Sequence, residues 1–104
     1  MKNNMNSIMR QAQKMQNQIA KIQDDLGDKK IETSAGGGMV TVVVNGKQEL
    51  LAIKINPEVV DPEDVGLLED MVLGAVNQAM ESASSMMNSE IEKVTGGFNI
   101  PGLM

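Results

Sequence analysis

The feature that most constrains the fold of this chain is a heptad pattern in its first 26 residues. Apolar side chains recur there at alternating steps of three and four residues, at Met5, Ile8, Ala12, Met15, Ile19, Ile22 and Leu26. This spacing lines them up along one seam of an α-helix, as in a coiled coil. It predicts a helix from about Asn3 to Leu26, with Gly27 as the residue that ends it.

The same helix carries a positive charge that the rest of the chain lacks. The first 23 residues hold four of the nine basic side chains and none of the fourteen acidic ones. The remaining residues therefore hold five basic and fourteen acidic side chains, which gives them a net charge of −9. An acidic body with one basic helical arm can use that arm to bind a polyanion or to pair with another helix.

Three of the basic residues form a stripe beside the apolar seam. Arg10, Lys14 and Lys21 follow one another at steps of four and seven residues, so they share one side of the helix. Charges on an exposed helix face are often only solvated, but no acidic residue before Asp24 compensates these. We therefore interpret the stripe as a candidate binding surface.

The composition excludes several classes of function. The chain has no cysteine and no histidine, which removes disulfides, thiolate metal sites and catalysis by Cys or His. No other cluster suggests an active site, so we expect no enzymatic activity, no cofactor, no metal and no small-molecule substrate. Phe98 is the only aromatic residue and Arg10 the only arginine, which disfavours stacking on unpaired bases and extensive reading of base edges.

No segment directed to a membrane is visible in the sequence. The N-terminus lacks the apolar core of a signal peptide, and the apolar run around Val42–Val44 is too short to cross a bilayer. Together with the absence of cysteine, these features favour a cytoplasmic protein without a membrane partner.

The central part of the chain changes from a helical to a strand pattern. Three strands are predicted, at Lys30–Ala35, Met39–Val44 and Gln48–Asn56, and the second is almost entirely β-branched. Gly36-Gly37-Gly38 predicts a tight reversal between the first two strands. Asn45-Gly46 predicts a two-residue type I′ hairpin between the last two. The glycine run is not a P-loop, because no helix and no Lys-Ser or Lys-Thr pair follows it.

Both faces of this three-stranded antiparallel meander carry apolar residues. Alternation assigns Val40, Val42, Leu51, Ile53 and Ile55 to one face, and Met39, Thr41, Val43, Leu50 and Ala52 to the other. A small sheet that is apolar on both sides requires cover on both sides. We expect the chain's own helices on one face and a second subunit on the other.

A long helix is predicted for the segment that begins at Asp61. Asp61 suits the N-cap and Pro62 the first helical position, and apolar periodicity continues to Val94 before Gly96-Gly97. About 33 residues give a helix of roughly 50 Å, whereas a compact domain of this size is about 30 Å across. We expect the helix to project, to break near Ser84-Ser85 or to pack against another chain.

Small residues on this helix recur at steps of four, at Ala75, Ala79 and Ala83, and permit close approach of a neighbouring backbone.

The chain is short enough to form one domain, which we place at residues 1–97. Pro101 and Gly102 cannot continue the helix, so we expect residues 98–104 to form a flexible tail.

Several short motifs occur in a fixed order along the chain. They are Met-Arg-Gln-Ala-Gln-Lys-Met-Gln at 9–16, Ala35-Gly36-Gly37-Gly38 followed by Val40, Asn45-Gly46, Ile55-Asn56-Pro57, Glu69-Asp70, Ala75-Val76-Asn77-Gln78-Ala79, Thr95-Gly96-Gly97 and Pro101-Gly102. In this order and spacing, over nearly the whole chain, they resemble the YbaB/EbfC family of small bacterial nucleoid-associated proteins. The resemblance implies an α+β protomer of helix, three-stranded meander and long helix, in an intertwined or tightly packed homodimer with projecting helices. It also implies binding to double-stranded DNA with little sequence preference and a nucleoid location.

On this interpretation the DNA-binding residues are expected on the first helix, at Lys2, Arg10, Lys14 and Lys21, and a homodimer doubles their number. Lys47 is a candidate for an accessory contact. The alternative is a coiled-coil adaptor or holdase-like interaction module, which the same heptad helices and ten methionines also fit. A DNA affinity that falls steeply with salt distinguishes the two.

Overall fold

The computed structural model describes the backbone of residues 2–95 and the side chains of residues 5–94. Its elements are α1 (Lys2–Gly27), β1 (Lys30–Ala35), β2 (Val40–Asn45), β3 (Leu50–Ile55), a short 3-10 helix (Pro57–Val59) and α2 (Val65–Thr95). The strands form one antiparallel sheet in the order β1-β2-β3. The predicted α+β protomer of helix, meander and long helix is confirmed.

The heptad seam of α1 becomes more buried toward the end of the helix. Leu26 is only 1% exposed, whereas Met5 and Ile8 near the start are 68% and 64% exposed. Met15, Ile19 and Ile22 are half-buried between these extremes. The helix is therefore attached to the body at its C-terminal end, and its N-terminal half projects.

The reversal between β1 and β2 is built from three glycines, as the sequence predicts. Gly36, Gly37 and Gly38 have φ angles of 63°, 68° and 93°, a region that other residues adopt only with strain. Gly36 also faces α2 closely, because an added Cβ would lie 2.6 Å from the sulfur of Met71. The turn is thus both a reversal and a contact with α2.

The loop between β2 and β3 differs from the predicted type I′ hairpin. Gly46 does not have a positive φ, and the residue that does is Gln48, at 64°. The backbone nitrogen of Gln48 donates to the carbonyl of Asn45, and that of Asn45 donates to the carbonyl of Glu49, each at 3.0 Å. This is the pattern of a three-residue loop with a left-handed third residue. Gly46 has a different role, which is to let the loop approach Leu26.

An irregularity in the β2–β3 register corrects the predicted sheet faces. Val43 pairs with Ala52 but Val44 pairs with Leu50, so one extra residue lies in β3 between these pairs. Opposite residues share a face, so Leu50 lies with the buried Val44 and Leu51 lines the outer face beside Val43. The sequence assignment of these two leucines was wrong, because strict alternation does not allow for an extra residue.

The core is a thin layer between α2 and the sheet. Ala75, Ala79 and Ala83 are fully buried against the three fully buried valines of β2, Val40, Val42 and Val44. The hydroxyl of Thr33 in β1 donates a 2.7 Å hydrogen bond to the carbonyl of Ala75. The small-residue stripe therefore admits a close neighbour, as predicted, and that neighbour is the chain's own sheet.

The long helix begins later than the sequence predicts. Asp61 accepts from the backbone nitrogen of Glu63 at 2.9 Å and forms a turn, while the Asp64 carboxylate accepts from Leu67 at 3.4 Å in the N-cap position. The helix then runs without a break through Ser84-Ser85 for 31 residues, about 46 Å. Its predicted end at Gly96-Gly97 and the predicted tail at 98–104 lie outside the described residues.

The two helices run in opposite directions where they meet. Met15 of α1 and Val94 of α2 line one cleft, and Lys29, just after α1, lies 3.8 Å from Glu90 of α2. The C-terminal half of α2 thus supports the C-terminal half of α1. The part of α1 before Gln11 extends beyond the described part of α2.

Candidate nucleic-acid interface

The basic stripe of α1 lies on an exposed side of the projecting helix. Arg10, Lys14 and Lys21 are all exposed, and at 100° per residue they fall within about 40° of one another around the helix axis. From the first of them to the last the helix rises about 16 Å. The stripe therefore presents three cations along a line that a long polyanion can follow.

These cations are not neutralised within the protomer. Over residues 5–94 the ion pairs are Lys29–Glu90 at 3.8 Å and Lys93–Glu90 at 3.2 Å, and neither includes a residue of the stripe. The same described region contains no side-chain hydrogen bond from Arg10, Lys14 or Lys21. The fourth predicted site residue, Lys2, lies in α1, but its side chain is outside the described residues.

The stripe and the apolar seam point in different directions. By helix geometry the stripe lies about 140° around the axis from the seam that faces α2. Gln13 and Asn17, which are also exposed, flank the cations and offer neutral hydrogen-bonding groups. A ligand on this side thus meets cations and amides, and Lys14 also borders the cleft where α1 meets Val94 of α2.

The rest of the molecule has the opposite charge. From Ile55 to Glu92 the sequence holds nine acidic residues and no basic one, and this range includes most of α2. Such a separation of charge repels a polyanion from the body and directs it toward the arm. The separation is visible in the sequence, and the structure adds that the basic stripe begins at Arg10 on the projecting part of α1 and continues along the part that packs against α2.

Lys47, the predicted accessory residue, lies at the base of the arm. A Cβ added to Gly27 would lie 3.2 Å from the Cδ of Lys47, so this exposed side chain runs beside the end of α1. Within the described residues it takes part in no ion pair. It lies nearly five helical turns from Arg10, at the opposite end of the arm.

A second surface was missed by sequence analysis, because it depends on how α2 crosses the sheet. An apolar cleft of about 490 Å³ lies between the edge strand β3 and α2, lined by Ile55, Leu68, Glu69, Val72, Leu73 and Val76. Its lining contains one charged residue, and no group of acidic side chains in the described region could hold a metal ion. The cleft therefore has the character of a packing surface.

Neither α1 nor α2, as far as they are described, has an apolar stretch long enough to cross a bilayer.

Basic residues clustered along one helix side are one feature of proteins that bind nucleic acid, although this chain as a whole is acidic, with a net charge of −5. The sequence matches the family model described as the YbaB/EbfC DNA-binding family over residues 1–98. It is 57% identical over 100 residues to nucleoid-associated protein TTE0040 of Caldanaerobacter subterraneus subsp. tengcongensis, with 96% of this chain and 90% of the relative covered. It is 56% identical over 100 residues to a nucleoid-associated protein of Alkaliphilus metalliredigens, with 96% and 88% covered. The chain therefore belongs to the YbaB/EbfC DNA-binding family, as its motifs predict.

A solved structure supports the fold independently. The crystal structure of the uncharacterized protein HP0035 from Helicobacter pylori superposes with a TM-score of 0.67. The match covers 75% of this chain and 90% of that one, at 22% sequence identity. At this identity the likeness concerns the fold alone.

Proposed function

We propose that this chain is a nucleoid-associated protein that binds duplex DNA as a homodimer, with little sequence preference, through the basic stripes of its two α1 arms. The observation that carries the proposal is the stripe itself, three exposed cations without acidic partners on an acidic molecule. Membership of a DNA-binding family and relatives named nucleoid-associated support it.

The chemistry of the stripe favours phosphates over base edges. Duplex DNA carries about one negative charge per 1.7 Å of axis, so roughly ten phosphates lie within the length of the stripe. Two of the three cations are lysines, which act as point charges and lack the planar fork that reads guanine. Contacts of this kind fix position on the duplex but carry no sequence information. Low sequence specificity is the consequence.

The sheet supports the homodimer, because α2 leaves one strand uncovered. The helix packs over β1 and β2, while the residues of β3 on the same face, Leu50, Ile53 and Ile55, remain 45%, 42% and 40% exposed. β3 is also an edge strand with one row of unpaired backbone groups. This part of the sheet requires an apolar partner.

The neighbouring side of α2 offers a matching surface. Leu73 is 60% exposed, and together with Leu68, Val72 and Val76 it borders the cleft beside β3. A second copy carries the same helix side and the same strand, so each can cover the other across a two-fold axis. Such a dimer brings two arms to one duplex and raises the overall affinity without any new kind of contact.

Binding across a salt series tests this function. The purified protein should bind unrelated duplexes with similar affinity at low salt, and the logarithm of the binding constant should fall linearly with the logarithm of salt concentration. The alternative, a coiled-coil adaptor, is favoured by the exposed seam residues Met5 and Ile8 on the projecting half of α1. No duplex binding at low salt would support that alternative.

A further inference from the structure

We infer that the junction between α1 and the β2–β3 loop, formed by Leu26, Gly27, Asn45, Gly46 and Glu49, fixes the direction of the arm and thereby the position of its basic stripe. This arm junction is defined by the hydrogen bonds and close contacts between these residues. The inference rests on the proposed function only for its consequence for DNA. The part that concerns the direction of the arm stands on contacts within the protomer.

The loop completes the hydrogen bonding of the end of α1. The last carbonyls of a helix have no partner within the helix. Here the backbone nitrogen of Gly46 donates to the carbonyl of Leu26 at 2.8 Å and to that of Lys29 at 3.0 Å. The end of α1 is therefore bonded directly to the sheet, across about 20 residues of sequence, as well as through the short connection to β1.

Asn45 extends this attachment with a side chain that is only 3% exposed. Its amide nitrogen donates to the carbonyl of Gly27 at 3.3 Å and to a carboxylate oxygen of Glu49 at 2.7 Å. Its amide oxygen accepts from the backbone nitrogens of Lys47 and Glu49, each at 3.0 Å. Both donors and both acceptor positions of the amide are thus used. One side chain holds the loop in shape with its oxygen and holds the helix with its nitrogen.

Gly46 is required for the close approach of the two elements. An added Cβ would lie 2.8 Å from both the carbonyl oxygen and a methyl carbon of Leu26, and 2.9 Å from its Cβ. Part of this obstruction is backbone, so it cannot be relieved by turning a side chain. A larger residue must push α1 away from the loop.

The remaining contacts of α1 do not define its angle. Met15, Ile19 and Ile22 are only half-buried, and apolar contact is non-directional, so α1 and α2 can slide or rotate on each other. Hydrogen bonds have preferred distances and angles. The arm junction is therefore the part of the attachment that specifies the orientation of α1, and it lies at the C-terminal end of this long helix.

The length of α1 determines how far each of its residues moves when the helix rotates about the arm junction. At 1.5 Å per residue, Gln13 lies about 20 Å from Leu26 and Gln23 about 5 Å from it. A rotation at the arm junction therefore displaces position 13 about four times as far as position 23. Arg10 and Lys14, near the outer end, are moved most, and Lys21 is moved least.

Spin-label distances measured without DNA test the direction of the arm. The chain has no native cysteine, so labels can be placed at exposed Ser34 on the sheet and at either Gln13 or Gln23 on the arm, diluted with unlabelled protein. Two variants disturb the arm junction in different ways. Gly46→Ala adds the obstruction, and Asn45→Asp keeps the acceptors for the loop but removes the donor to Gly27. Gly74→Ala is the control, because a Cβ there meets nothing within 4 Å.

We expect a narrow distance distribution in the unaltered protein and in the control. In both junction variants the distribution should shift or broaden about four times more at position 13 than at position 23. In the double variant Asn45→Asp/Glu49→Gln, the new amide at position 49 can donate to the new carboxylate at position 45, which restores a hydrogen bond within the loop. The donor to the carbonyl of Gly27 is still missing, so the arm should stay displaced. DNA binding by the displaced arm should show a shallower salt dependence, by up to about 0.9 in log–log slope for each phosphate that the arm no longer neutralises.

Unchanged spin-label distances in a folded Asn45→Asp variant would overturn the inference. Because this substitution is isosteric, it tests the arm junction even if the Gly46→Ala variant does not fold. Equal changes at positions 13 and 23 would also overturn it, because they indicate something other than rotation of the arm. So would a displaced arm that binds duplex DNA with the affinity and slope of the unaltered protein. If the unaltered protein does not bind duplex DNA at all, the proposed function fails, while the distances still decide whether the arm junction sets the direction of the arm.

Discussion

Removal of Lys14 and Lys21 together should change the salt dependence of DNA binding by a calculable amount. If Arg10, Lys14 and Lys21 each neutralise one phosphate on both arms of a dimer, six neutralised phosphates give a log–log slope of about −5.4. Affinity then falls about 2,000-fold between 50 and 200 mM salt, as estimated from the slope per phosphate. The double variant Lys14→Ala/Lys21→Ala neutralises two phosphates with a slope of about −1.8, so its affinity falls only about 12-fold over the same range.

Fluorescence anisotropy of a labelled duplex, measured at several salt concentrations, gives both slopes. The matched control is Lys30→Ala/Lys54→Ala, which also removes two exposed lysines, but from the outer face of the sheet. All three proteins should show the same helical circular dichroism, because the substituted residues are exposed. If the arm variant and the control variant have the same slope, the stripe does not carry the phosphate contacts.

Three further changes separate stability, assembly and binding. Ala79→Glu places a charge in the fully buried layer against the β2 valines, which should cost about 4 kcal/mol or more and abolish cooperative thermal unfolding. Leu73→Asp charges the cleft beside β3 and should lower the sedimenting mass from about twice 11.2 kDa to that of one chain. Gln78→Glu, at an exposed position about 140° around the axis of α2 from Leu73, should not. Gly37→Ala, at a φ of 68° with open space around it, should cost about 1 kcal/mol of stability and leave the DNA affinity of the folded protein unchanged. A folded and stable Ala79→Glu variant would contradict the role of Ala79 in the core. A dimeric Leu73→Asp variant would contradict the role of the cleft in the dimer. Loss of DNA binding by a Gly37→Ala variant that melts normally would show that the turn contacts DNA.

Local patterns were sufficient to predict the elements of this fold. The heptad spacing from Met5 to Leu26 predicts the ends of α1 to within about one residue, because an apolar period of 3.5 residues fits an α-helix and not a strand. β2 is nearly all β-branched and is found one residue from its predicted position. The basic stripe is likewise a local property, because residues at steps of four and seven share a helix side in any tertiary structure.

Features that depend on contacts between distant residues could not be predicted in this way. The faces of the sheet on which Leu50 and Leu51 lie are set by an irregular pairing of β3 with β2. Alternation within one strand does not reveal such an irregularity. Gly46 serves a close approach to Leu26 rather than a type I′ turn, and that approach joins residues twenty positions apart. The cleft between β3 and α2 depends on the crossing of a helix over a sheet. The steps of four that Leu68, Val72 and Val76 share predict one helix side, but they do not place Ile55 beside it.

The most direct measurement is the binding of the unaltered protein to two duplexes of unrelated sequence and equal length, followed by anisotropy from low to physiological salt. The two stripes of a homodimer predict nearly equal affinities for both duplexes and the same steep loss of affinity as salt rises. No binding to either duplex at low salt, or tight binding to one duplex that persists as salt rises, would contradict phosphate recognition by the α1 arms.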